Sequence, residues 1–166
     1  TVALMNPSTP VAAGTRRPHP LFSRWPAALG LLAAVAVIVT GADRETLAIV
    51  VSVAALCYLG AAAFNRRWVA WVAVAGGSLV VAVTEVLGVP WWAGVVAVAA
   101  ILVAVGLSIG VPRRALTVQA VALSAFVGLA VIALFLEPGV GLALAGTVLA
   151  AHAGWDLLHY RRDKVV

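Results

Sequence analysis

Residues 47–64 read LAIVVSVAALCYLGAAAF, and Asn65, Arg66 and Arg67 follow at once. The run carries no charge and comes close to the roughly 20 residues that cross the hydrocarbon core of a bilayer as a helix. Its apolar residues do not alternate with polar ones, so it lacks the period of a barrel strand. In lipid, every backbone group must then find its partner along the same segment, which only a helix allows.

Outward from this stretch the same grammar repeats. Apolar runs occupy 26–42, 69–87, 91–111, 115–136 and 140–158, separated by short segments that hold nearly all the charge. The run 26–42 is the shortest of the set. Of the 166 residues, 64% are hydrophobic and 10% charged, against roughly 25% charged in soluble domains. Mean hydropathy is +1.11. These values exclude a soluble globular domain. They predict an all-α, polytopic bundle of six transmembrane helices in up-and-down order, spanning 25–160. Residues 1–24, polar and broken by Pro7, Pro10, Pro18 and Pro20, read as a disordered cytoplasmic tail. Residues 161–166 form a basic cytoplasmic end. The start at Thr1 and the stop just after a charged cluster leave room for a longer parent chain.

Lys and Arg resist translocation and remain beside cytoplasmic helix ends. Arg16, Arg17 and Arg24 precede the first run, Arg66 and Arg67 join the second and third, Arg113 and Arg114 join the fourth and fifth, and Arg161, Arg162 and Lys164 follow the sixth. Ten of the 11 basic residues therefore fall on one side, with Arg44 the exception, and both termini are expected in the cytoplasm. Tryptophan favours the headgroup level. Trp25, Trp68, Trp71 and Trp155 fall at inner helix ends and Trp91 and Trp92 at the outer one. The predominance of Arg over Lys, with abundant Ala, Val and Gly, suits a bacterial inner membrane. Arg16 and Arg17 lack the following residues of an export signal, since Pro18 and His19 intervene.

A net charge of +5 would suggest nucleic acid in a soluble protein. Here the basic residues come in short clusters at membrane boundaries, where topology and anionic lipid headgroups account for them, and no nucleic-acid partner is expected. The single Cys57 lies within an apolar run, which rules out a disulfide framework and a thiolate metal site. The basic pairs recur at intervals of about 48 residues, as any regular series of helical hairpins would make them.

Helices associate in lipid by close packing, which small residues promote. Gly106 and Gly110 in the fourth run, Ala120, Ser124 and Gly128 in the fifth, and Gly146, Ala150 and Gly154 in the sixth recur at four-residue spacing. Runs four to six are expected to pack tightly through them. Gln119, Thr84, Ser78 and Ser108 are compatible with hydrogen bonds between helices.

One constellation carries chemistry. His152, Asp156 and His159 stand at i, i+4 and i+7 and so share a face of the sixth helix near its cytoplasmic end. Two imidazoles and a carboxylate could serve as three ligands for zinc or iron, or as catalytic groups that move a proton. Residues on one helix do not complete a metal sphere alone, and the other runs contain no further histidine. The reading preferred here is structural: Asp156 orienting a histidine or pairing with an arginine, and His152 making a polar contact inside the bundle. Glu85, close to the end of the third run, reads as an interfacial carboxylate. No phosphate-binding glycine loop, no paired histidine boxes, no midplane acidic residue and no intramembrane lysine is present. The sequence HAGWDLLHYRRDK (152–164) is distinctive but names no activity.

Three functional classes follow in order. The first is a non-catalytic membrane component, an accessory subunit or scaffold, with a protein partner or a second copy in the membrane and no cofactor. The second is a small transporter or channel, and the third a membrane enzyme using His152, Asp156 and His159.

Overall fold

The computed structural model describes residues 41–162, together with Leu32 and Val39. The chain divides after Gly41, and the architecture below is that of the second part. The expected tail 1–24, the basic end 163–166, Trp25 and most of the run 26–42 lie outside the described residues.

Five helices follow one another without a strand among the described residues: α1 (Arg44–Phe64), α2 (Val69–Val86), α3 (Trp91–Ser108), α4 (Arg113–Phe135) and α5 (Pro138–Arg162). All five are long and apolar enough to cross a membrane. The sequence predicts six; five are described, and the sixth falls on the run 26–42.

Each boundary has a local cause. Asp43, extended, accepts the Thr46 N–H at 2.6 Å and caps α1. Asn65 closes the same helix in the left-handed conformation, with φ 50°, and returns its N–H to the Ala61 and Ala62 carbonyls. The next two turns share one chemistry, Leu87-Gly88-Val89-Pro90 and Ile109-Gly110-Val111-Pro112. In both the glycine takes a positive φ, 65° and 74°, which is reached at little cost without a Cβ. The valine N–H then bonds back over the turn, Val89 to the Thr84 carbonyl at 2.9 Å and Val111 to that of Gly106 at 3.1 Å, and the proline bars further helix. This turn ends α3 at Ser108, three residues before the apolar run itself ends. At the start of α5, Pro138 takes the first helical position and Glu137 accepts the Gly139 and Val140 N–H groups.

The connections are short, so successive helices run antiparallel. The links 65–68 and 109–112 and the end of α5 meet at one end of the bundle, here called the basic end because it carries the exposed Arg66, Arg67, Arg113 and Arg114. At the other end Arg44 donates to the Leu136 carbonyl at 2.6 Å, tying the start of α1 to the finish of α4. This gives the arginine that departs from the charge bias a local role.

α1 is the axis. It touches each of the other four helices, which follow around it in the order α2, α3, α4, α5; α2 and α5 do not meet. Two thirds of its apolar window is buried (67%), against 22–28% for the other four helices. Val51, Leu56 and Leu59 on α1 form the core with Val95 on α3 and Leu123 and Val127 on α4.

This arrangement corrects the expected packing of runs four to six. Those runs are α3, α4 and α5; α3 and α5 do not touch, and α3 meets α4 less extensively than any other contacting pair. Gly106 does sit in a close approach, to Leu116 of α4 as expected between runs four and five and to the α1 backbone besides: a Cβ there would come within 3.0 Å of Leu116 and 3.2 Å of the Ala63 Cα. Gly110 ends the helix and has nothing within 4 Å of a Cβ. Gly146 makes only an ordinary contact, 3.9 Å to Leu47, and Gly154 and Gly128 face open space. The tightest approach joins runs five and six at another glycine, Gly141 of α5, where a Cβ would run into the Ala133 carbonyl of α4, and others lie along α2. Gly60 and Gly77 admit the α1–α2 contact, and Gly94 meets Thr84 and Val80 across the α2–α3 pair.

Candidate functional site

The polar side chains gather toward the basic end, where α1, α4 and α5 converge. α5 supplies His152, Asp156 and His159, one helical face as their spacing requires. α1 contributes Tyr58, whose hydroxyl donates to Asp156 Oδ1 at 2.6 Å. α4 contributes Gln119 and Phe126. Gln119 Nε2 lies 3.4 Å from His159 Nε2, and the other ring nitrogen of His159 is 2.9 Å from the Trp155 carbonyl oxygen of its own helix.

His152 is the innermost member. Its side chain is 3% exposed, whereas that of Asp156 is 49% exposed. The His152 Nε2 and Asp156 Oδ1 atoms stand 3.5 Å apart, too far for a well-formed hydrogen bond, and neither ring nitrogen of His152 has a hydrogen-bond partner. Aromatic rings enclose it instead. Phe126 packs edge-on with ring centres 4.8 Å apart and Tyr58 at 5.8 Å. Trp155 stacks at a tilt on His159, at 4.6 Å. The space bounded by Tyr58, Gln119, Phe126, His152 and Trp155 leaves no room for a water molecule.

The structure thus brings the three histidine and aspartate candidates together and adds partners from two other helices. It gives them no cavity. Among the described residues no group of three or more His, Cys, Asp or Glu side chains is disposed to hold a metal ion. Asp156 accepts from Tyr58, a partner that the sequence did not suggest; the side chain of Arg161 lies outside the described residues. Tyr58 and Phe126 carry no signal of this role in the sequence, and Gln119 only that of a bond between helices, because the packing of α1 and α4 against α5 is what brings them to the site.

Elsewhere the polar residues of the spans turn inward upon their own helices. Ser52 donates to Ala48, Cys57 to Val53, Ser124 to Ala120 and Thr147 to Ala143. Thr84 and Ser108, expected to bridge between helices, also donate to carbonyls of their own turns. Only Gln119 of that set reaches across. Glu85 is exposed near the end of α2. Trp91 opens α3, at the helix end where the sequence places it, and is 3% exposed and joins the core, with its indole N–H unpartnered.

A groove elsewhere on the bundle is a wholly different feature. An open groove of about 850 Å³ runs between α3 and α4, floored by Leu59 of α1 and lined by Val96, Val103, Val127 and Val131. Its lining is almost entirely apolar, with Ser124 as the polar exception.

No protein family, curated protein or solved structure matches the chain.

Proposed function

We propose that this chain is a non-catalytic component of a bacterial inner membrane, an accessory subunit or scaffold, with six spans and both termini in the cytoplasm. The observation that carries the reading is the closed packing around His152: a substrate or a solute needs space beside the polar groups, and there is none for even one water. The serine, threonine and cysteine hydrogen bonds named above support it further, since groups that donate to their own helix line no polar path. The basic end meets anionic headgroups through Arg66, Arg67, Arg113 and Arg114.

The test is purification in mild detergent followed by reconstitution in liposomes. A scaffold is expected to carry a stoichiometric partner or a second copy, to pass no protons or small ions above protein-free vesicles, and to hold no metal on elemental analysis. Solute flux in the vesicles would replace this reading with a transporter. Stoichiometric metal that disappears in His152→Ala would replace it with a metalloenzyme.

A further inference from the structure

His152 is enclosed in the interior with two ring nitrogens and no hydrogen-bond partner for either. A buried polar group without a partner is costly, and more so where lipid surrounds the bundle. Such a group points to something that it binds. Its surroundings exclude most candidates, because the rings of Tyr58, Phe126 and Trp155 leave no volume for water, an ion or an organic ligand. A proton needs no volume.

The counter-charge is already in place. Asp156 Oδ1 lies 3.5 Å from His152 Nε2 and at the same time accepts the Tyr58 hydroxyl at 2.6 Å. One carboxylate oxygen therefore faces donors on two helices. With a neutral imidazole the short bond from Tyr58 dominates. An imidazolium would offer a charge-assisted N–H to the same oxygen, and such bonds are shorter and about twice as strong as neutral ones.

We propose that His152 is a proton-binding site, and that the proton it takes draws Asp156 Oδ1 from Tyr58 on α1 to His152 on α5. The proton comes from water at the exposed side of Asp156 and adds to the ring nitrogen that the neutral tautomer leaves unprotonated. The hydrogen bond from Tyr58 to Oδ1 loosens and no covalent bond breaks. The imidazolium charge is balanced by the carboxylate beside it. The titratable groups that face His152 are Tyr58 from α1 and Asp156 and His159 from α5. α4 presents Phe126 and Gln119 there, and its own ionisable residues, Arg113 and Arg114, lie in its first turn. α2 and α3 do not touch α5. His159 is a separate case, since both of its ring nitrogens have neighbours within hydrogen-bond reach.

The inference goes beyond the scaffold reading and holds whether or not a partner is found. Its test uses the full chain in lipid nanodiscs with nitrogen-labelled histidine and fluorinated tyrosine, followed by NMR between about pH 5 and 8, where an imidazole ordinarily changes charge. His152→Gln and Tyr58→Phe identify the two signals. The expected result is a titration of the His152 ring in that range, with a shift of the Tyr58 signal at the same midpoint. The Tyr58 shift should be lost in His152→Gln and in Asp156→Asn. A His152 ring that stays in one charge state across the range overturns the proposal, as does a titration that leaves Tyr58 unmoved, or a Tyr58 shift that survives His152→Gln. Should His152→Gln or Tyr58→Phe fail to fold, a chain carrying His19→Gln, His159→Gln and Tyr160→Phe retains His152 and Tyr58 as its one labelled pair, and their signals decide.

Discussion

Glu137 stands alone between α4 and α5, fully exposed, and its carboxylate serves as the cap of the helix that carries the polar site. Hydrogen bonds from the Gly139 and Val140 N–H groups hold its pKa below the ordinary glutamate value. A carboxyl depressed in the folded state stabilises above its unfolded value and loses that contribution as pH falls through the lowered one. Acid below the usual glutamate range should therefore release the first turn of α5. The amide signals of Gly139 and Val140 should move together as this happens, and Glu137→Gln should abolish the transition. At this scale the sequence was legible where chemistry follows spacing along one helix. His152, Asp156 and His159 were readable as one face for that reason. Tyr58 was not, because nothing in a linear order relates it to a residue 98 positions away.

At the scale of the helix, hydropathy and helical structure report different things. The apolar run 47–64 and α1 end together at Phe64, but α5 continues to Arg162, four residues past its run. Lipid sets the limits of hydropathy, whereas caps and prolines set those of the helix. Small-residue stripes proved the weaker guide, since in a chain so rich in alanine and glycine the spacing occurs without contact. The difference is measurable. Gly106→Leu should destabilise the bundle by roughly 1–3 kcal/mol, the usual cost of overpacking, because the side chain would meet the Ala63 backbone and Leu116. Gly128→Ala, with nothing within 4 Å of the new methyl, should leave thermal stability in detergent unchanged. Equal effects of the two substitutions would contradict the assigned α1–α3 contact.

Across the described helices, the succession of apolar spans was readable from the runs and the charged segments between them, but their spatial order was not. A helix in lipid need not show which face meets its neighbours, because an apolar surface suits both lipid and protein. The central place of α1 could not be read from a run that resembles the others. Sidedness is tested with single cysteines introduced after Cys57→Ala. Cysteines at Asp43 and Val89 should react with an impermeant maleimide added to intact cells, whereas one at Asn65 should react only after the membrane is opened. The opposite pattern would invert the assigned topology.

The axial position of α1 also has a meaning in time. Phe64 precedes Pro138 by 74 residues. At the ~5–20 residues per second of synthesis, on the order of ten seconds pass between completion of α1 and arrival of α5. The helix destined to be the most enclosed is thus made before all four of the helices described around it. During that interval α2, joined to it by a short turn and fitted against Gly60 and Gly77, and then α3 come to cover part of it. The rest of its surface must be held by lipid or by the insertion machinery until α4 and α5 displace them.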